Sequence, residues 1–262
     1  GRPGRANLDK GRSYLKEVKS FPNNTNLTAM LTFQNAEQSA PRSVPDQRYI
    51  PVGIHYTLAA LPEQPMEKRL ADDRIGFFMT VHKDFSDDNN STFFNRYVNR
   101  WRLECKNDVP EGQLCEPKGP IIYYVDRTVP KEYSEAMIAG VDAWAVAFEK
   151  AGFKNAIRGE MLPDDADPED IRYATLRWNT SDQPGYGAIG PSVVDPRTGE
   201  ILDADILFEA NMVQGFKNSW RNMVNPTTAL ETMLGVGATE NQGLELADFA
   251  ATFSNQGMLM RS

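Results

Sequence analysis

Two histidines, His55 and His82, and two cysteines, Cys105 and Cys115, are all that 262 residues hold of these types, and they bound the metal chemistry of the chain. A zinc peptidase needs three protein ligands, an open position for water and a carboxylate to take the water's proton. The usual arrangement is His-Glu-x-x-His, in which helical spacing puts both imidazoles on one face. His55 is followed by Tyr56-Thr57-Leu58-Ala59 and His82 by Lys83-Asp84, so neither begins such a motif. By strand parity both fall on the polar side of their runs and read as solvated residues. No metal ligand and no catalytic residue is expected among them. Nine residues separate Cys105 from Cys115, Pro110 and Gly112 included. That spacing suits a disulfide closing the loop, as in exported proteins, and equally two unpaired thiols, one of them buried.

Asp203 and Asp205, with Glu209 nearby, have the types that glycosidases pair for acid–base work. Two like charges two residues apart on a strand read instead as a wet or cleft-facing edge. Asp84, Asp87 and Asp88 with Asn89 and Asn90 are calcium-like in composition. They lack the glycine and distal glutamate of a binding loop and read as an acidic surface turn. No Gly-x-Ser-x-Gly elbow exists. Gly185, Gly187 and Gly190 do not stand between a strand and a helix, so they let the backbone bend beside a cleft and do not cradle phosphate. The glycosylation patterns at Asn23, Asn26 and Asn90 lie in Asn-rich turns and carry no weight.

The composition is that of an ordinary globular protein, with 40% hydrophobic and 24% charged residues. A net charge of −8 argues against nucleic acid or an anionic membrane as partner, because nothing basic and contiguous could neutralise phosphates. No run approaches the length of a membrane span. The opening Gly1-Arg2-Pro3-Gly4-Arg5 has neither an initiator Met nor an apolar signal core, and reads as a piece of something longer.

The elements around these residues fall into two patterns. Through the first hundred residues, Leu27 to Phe33, Ile54 to Ala60 and Ile75 to Val81 alternate apolar and polar positions, as strands with one wet face do. Arg96 to Glu104 reads as a last strand of this kind. Pro, Gly and charge then accumulate from Lys106 to Gly119, where a boundary is expected. Beyond it Ile121 to Val125 is a continuous apolar strand. Pro130 opens a helix to Ala151 whose stripe is Tyr133, Met137, Val141, Trp144 and Phe148, ended by Gly152 in the left-handed region. Trp144 and Phe148 are expected to pack that helix on the sheet of Tyr123 and Trp178. Ala156 to Glu160 and Ile171 to Trp178 follow as strands. Asp195-Pro-Arg-Thr-Gly199 is the turn of a hairpin. Met212, Phe216 and Trp220 space as an amphipathic helix, Pro226 to Leu234 as a second, and residues 237 to 262 are weakly helical. The fold class expected is α+β, an antiparallel β-rich part followed by a mixed sheet with a backing helix.

Several segments carry a resemblance: Gly11-Arg12-Ser13-Tyr14, His55-Tyr56-Thr57-Leu58, Arg69 to Phe78, Arg100-Trp101-Arg102-Leu103, Pro120 to Asp126, Gly140 to Trp144, Phe148 to Phe153, Arg177-Trp178 and the run Tyr186 to Phe208. In this order they resemble a family of large bacterial zinc-dependent metalloproteases with a long N-terminal region of unassigned role and a metzincin-like catalytic domain. The resemblance implies that residues 1–110 are the end of the accessory region. Residues 118–262 are then the N-terminal subdomain of the peptidase domain, truncated before the helix that carries His-Glu-x-x-His-x-x-Gly-x-x-His. Zinc would belong to the full-length parent, with none expected in this fragment.

The same resemblance makes Gly187, Ala188, Ile189, Gly190, Val193 and Val194 part of the strand lining a substrate cleft, where an extended peptide could add to an exposed edge. It implies an exported bacterial protein, periplasmic, cell-surface or secreted, whose parent acts on protein or peptide. Surface left bare by the missing helix favours self-association. The rival reading is a non-catalytic β-rich exported module that binds glycan or protein, its tryptophans serving as sugar platforms.

Overall fold

The computed structural model describes residues 6–35, 46, 48–86, 93–110, 112–181 and 185–221. Among them strands dominate and helices are few, an α+β architecture weighted towards β. The chain divides into two compact units, Gly1–Glu63 with Glu169–Ile171, and Gln64–Pro168 with Arg172–Ser262. The change of pattern between Lys106 and Gly119 lies inside the second. The expected helix at 226–234, the stretch 237–262, Asp87 to Asn90 of the acidic turn and the Asn90 glycosylation pattern fall outside the described residues.

The first unit is an antiparallel sheet of β1 (Ala6–Ser20), β2 (Asn24–Asn35) and β3 (Tyr49–Ala59), with β2 in the middle. The alternation over 27–33 and 54–60 thus marks real strands. β1 carries little alternation, so periodicity does not announce it. It bends through an irregularity between Asp9 and Tyr14 that polar groups hold together. Asp9 accepts from the Gly11 and Arg12 N–H groups at 3.0 and 3.2 Å, and Ser13 Oγ donates to Asp9 O at 2.7 Å while accepting from Thr32 N at 3.0 Å. Direct cross-strand pairs Val18–Leu27–Tyr56, Leu15–Ala29–Ile54 and Leu8–Phe33–Ile50 gather the apolar side chains on one face. The buried positions of β2 are on the other face. Asn24 and Asn26 donate to Glu169 O at 2.9 and 3.0 Å, and Ile171 N donates to Asn24 Oδ1. Along β2 the polar positions Asn24, Asn26 and Thr32 are therefore the buried ones, the reverse of what alternation suggests, while the same face of β3 is largely exposed.

The second unit opens with the hairpin of β4 (Met79–Lys83) and β5 (Phe94–Val98). The expected strand over 75–81 begins four residues late. Asp72 caps a turn there, accepting from Arg74 N at 3.0 Å, and Ile75 N closes it on Asp72 O at 3.1 Å. The strand expected through Glu104 stops at Val98. Beyond it the chain meets partners singly, at Arg100–Glu200 and at Cys105–Pro117, instead of along a ladder. Cys105 and Cys115 are joined as a disulfide.

The main sheet has the order β7-β6-β8-β12-β9, built from β6 (Ile121–Val125), β7 (Ile157–Met161), β8 (Ala174–Asn179), β9 (Ala188–Ile189) and β12 (Ile206–Glu209). All pairings are parallel except that of the edge strand β9 with β12. Between β9 and β12 the chain makes the hairpin β10 (Ser192–Val194) and β11 (Ile201–Ala204). Helix α1 (Lys131–Asp142), directly after Pro130, lies against β6 and β7. A Cβ on Gly159 of β7 would come within 2.9 Å of Ile138 Cα, so glycine is what admits this approach. Asp142 then accepts from Gly159 N at 2.8 Å. Val125, Val129, Val141 and Leu176 form the buried centre.

The helix expected to run unbroken to Ala151 is interrupted. The chain tightens at Ala143–Trp144, where Trp144 N bonds to Val141 O, and restarts as α2 (Ala145–Lys150), with Gly152 at φ +97° just beyond. Trp144 does not pack as the apolar stripe predicts. It is 63% exposed, because nothing among the described residues lies over that part of the sheet, while Phe148 is half-buried. Helix α3 (Ala210–Ser219) follows β12, close to the amphipathic segment expected around Met212 and Phe216.

Candidate functional site

The sheet edge and the ground beside it are what the second unit offers for chemistry. Gly187 O accepts from Glu209 N at 2.9 Å, which begins the pairing of β9 along β12. Ala188 then faces Phe208 and Ile189 faces Leu207. A side chain on Gly187 would meet Met212 Sδ at 3.1 Å, and one on Gly190 would meet Ile206 at 3.5 Å. Ile189 is 46% exposed, and β9 has no strand on its outer side among the described residues. Gly187 to Gly190 therefore sit together on the edge of the main sheet. Val193 and Val194 do not join them. They belong to β10, opposite Asp203 and Ile201 of β11.

The hairpin turn is rigidly built. Asp195 is fully buried and accepts from Arg197 N, Nε and Nη2 at 2.8, 3.0 and 2.7 Å. These bonds hold its carboxyl below the usual carboxylate range. Gly199, at φ +78°, passes so close to β5 that a Cβ would stand 2.7 Å from Val98 O. Main-chain bonds Arg100 N to Gly199 O and Ile201 N to Arg100 O, each 2.9 Å, fasten the segment after β5 to the turn. Arg102 then grips buried Glu200 with two parallel bonds of 2.7 and 2.6 Å. His82 Nε2 donates to Pro196 O at 2.6 Å. No local signal announces the Arg102–Glu200 pair, whose members are 98 residues apart. The bidentate geometry emerges only once the chain has folded.

The acidic residues singled out earlier are structural. Asp205 accepts from Thr175 N at 2.9 Å and Oγ1 at 2.5 Å. Glu209, fully buried, accepts from Asn179 Nδ2 at 2.5 Å and from Ser181 Oγ and N at 2.9 and 3.2 Å. Asp203 is buried as well. The reading of a wet carboxylate edge is thus corrected: Thr175 of β8 holds Asp205, and Asn179 and Ser181 hold the buried Glu209. Among the described residues no three His, Cys, Asp or Glu are grouped to hold a metal. His55 meets Thr28 at 3.1 Å, and His82 is committed to Pro196.

Over β6, β8 and β12 lies a cavity of about 630 Å³ between the sheet, α1–α2 and α3. Tyr133, Met137 and Trp144 line it from the helices, Tyr123, Trp178 and Phe208 from the sheet, and Met212 and Phe216 from α3. Tyr133 stacks on Trp178 at 5.1 Å, and Trp101 meets Tyr123 edge-on at 6.3 Å. Lys217 Nζ donates to Tyr133 Oη at 2.8 Å. Burial, and then the nearby Asp203 charge, pushes the Tyr123 hydroxyl above its ordinary value. Among the described residues this trough has stacked aromatics and aliphatic walls, and no converging acid, base or nucleophile.

A family model described as a domain of unknown function (DUF5117) matches residues 3–106. The matched stretch takes in all three strands of the first unit and continues through β4 and β5 to the arginines that hold the hairpin turn. No curated protein and no solved structure matches the chain.

Proposed function

We propose that this chain is part of an exported bacterial zinc-dependent endopeptidase: the end of an accessory region, followed by the first half of a metzincin-like catalytic domain. The observation that carries this reading is the apolar trough over a sheet whose antiparallel edge strand β9 has no neighbour on its outer side among the described residues. An apolar trough with Trp144 exposed at its wall suits a further layer. A trough walled by helices on two sides suits an amphipathic helix about 10 Å across. On this reading that helix carries the zinc-binding motif, and its apolar side seats in the trough. The β-rich part matched to a domain of unknown function agrees with an accessory region of unassigned role.

The described residues do not fit zinc themselves, since both histidines are engaged and no ligand cluster exists. No step of peptide hydrolysis is therefore routed through them. Their part is binding: the outer side of β9, which carries no strand among the described residues, offers an edge to which an extended peptide adds as a strand, held by main-chain hydrogen bonds. The rigid hairpin beyond keeps that edge in place.

The test compares the 262-residue chain with its parent protein. The parent should hold one zinc after dialysis and cleave casein in a chelator-sensitive way, while the shorter chain does neither. A parent without a His-Glu-x-x-His helix overturns the reading, and so does stoichiometric zinc with cleavage in the 262-residue chain. One observation favours a non-catalytic binder, the exposed Trp144 at the wall of the trough, which could serve as a sugar platform. Saturable quenching of tryptophan fluorescence by oligosaccharides, abolished by Trp144→Ala, would support that alternative.

A further inference from the structure

We propose that the apolar face of the β1–β2–β3 sheet is a self-association surface, on which a second copy of this chain lays its own identical face to make a two-layer β-sandwich. Leu8, Leu15, Val18, Val52, Tyr56 and Leu58 are all exposed on this face. They are brought there by the register of the three strands. A sheet that is apolar on one face buries that face against a second layer.

The edges and the face are treated differently by the sequence. β1 carries Lys10, Arg12, Lys16 and Lys19, and β3 carries Pro51. Charged residues and proline are the devices that keep edge strands from pairing with other chains. The face has no such guard. β2 and β3 contain no Asp, Glu, Lys or Arg at all, in a chain of net charge −8. A second copy therefore meets no like charge across these two strands, and a symmetric pair uses one patch twice. From strand rise and spacing the face measures about 500 Å² per copy, so a face-to-face pair buries about 1,000 Å² in all. That reaches the size at which specific interfaces begin, roughly 1,000 Å² in total. Two such sheets stack about 10 Å apart with strands near-aligned.

Sedimentation velocity of the 262-residue chain from low to high micromolar concentration decides it. The expected result is a reversible monomer–dimer equilibrium. Leu15→Lys with Leu58→Lys should weaken it at least about tenfold, since each places a charge in the apolar layer. These positions are 58% and 61% exposed, so the monomer has room for them. Far-UV circular dichroism checks the fold, and Tyr56→Ser, a milder change on the same face, decides the matter if the double variant fails to fold. Phe78→Lys, 83% exposed in the second unit, should leave the equilibrium unchanged. A wild-type chain that stays monomeric throughout overturns the proposal. Association that survives the sheet substitutions but falls with Phe78→Lys overturns it as well.

Discussion

Replacing Gly199 with alanine tests the join between the segment after β5 and the hairpin turn. Two costs add there. At φ +78° an L side chain strains the backbone by about 1 kcal/mol. The new methyl would also stand 2.7 Å from Val98 O, a main-chain atom in a paired strand. Neither side can give way without shifting β5 or the turn, which costs roughly 2 kcal/mol more by comparison with other overpacked sites. Gly152 supplies the control, for at φ +97° it has nothing within 4 Å of its would-be Cβ. Gly152→Ala should therefore carry only the backbone cost, about 1 kcal/mol against about 3 for Gly199→Ala. All four tryptophans, Trp101, Trp144, Trp178 and Trp220, belong to the second unit. Their fluorescence during urea unfolding thus reports that unit. At a slope of about 2 kcal/mol per molar the two midpoints should differ by about 1 M. Equal midpoints for the two variants would refute the close approach of hairpin and strand.

Three further outcomes follow from the same geometry. Because hydrogen bonds from Arg197 depress the Asp195 carboxyl, its contribution to stability is present above the usual carboxylate range and fades as pH falls through the depressed folded-state value. Arg197→Ala should flatten that acid limb in urea titrations, and an unchanged limb would count against the clamp. Reducing the Cys105–Cys115 bond frees a short loop and should lower stability by about 2.5 kcal/mol on the chain-entropy account; a melt insensitive to reductant would show that the loop is held by other contacts. Trp144→Ala should melt within a degree or two of wild type in this chain, since the side chain is largely exposed. A large drop would mean that the trough is already covered.

What could be seen in the sequence was what local periodicity encodes. The continuous strand at Ile121 to Val125, the helix after Pro130 and the turn at Asp195 to Gly199 each have a signal within a few residues, and each formed. The misses have a common cause. β1 exists through a long ladder with β2 and a bulge fixed by Asp9 and Ser13, not through any alternation of its own. β9 has two residues, too few for a period. The alternation at Ile75 to Phe78 lost to the Asp72 turn, and Trp144 kept its helical spacing but not a layer to pack against. Burial polarity along β2 inverted for the same reason, because Asn24 and Asn26 find Glu169 from 143 or more residues away.

The segments that carry the family resemblance now have physical meanings, and these meanings are mostly architectural. Arg100 and Arg102 fasten one strap, and Asp195 to Glu200 is what they fasten it to. Asp142 ends α1 on the backbone of Gly159, whose missing side chain lets Ile138 approach. Trp178 takes Thr128 Oγ1 at its backbone N–H, 3.1 Å away, and Tyr133 on its ring. Each motif is half of a contact whose other half lies far along the chain. Together they frame a trough and an edge strand, and among the described residues no cluster of metal-binding groups stands there. The helix proposed to bring the reactive groups would seat in this frame.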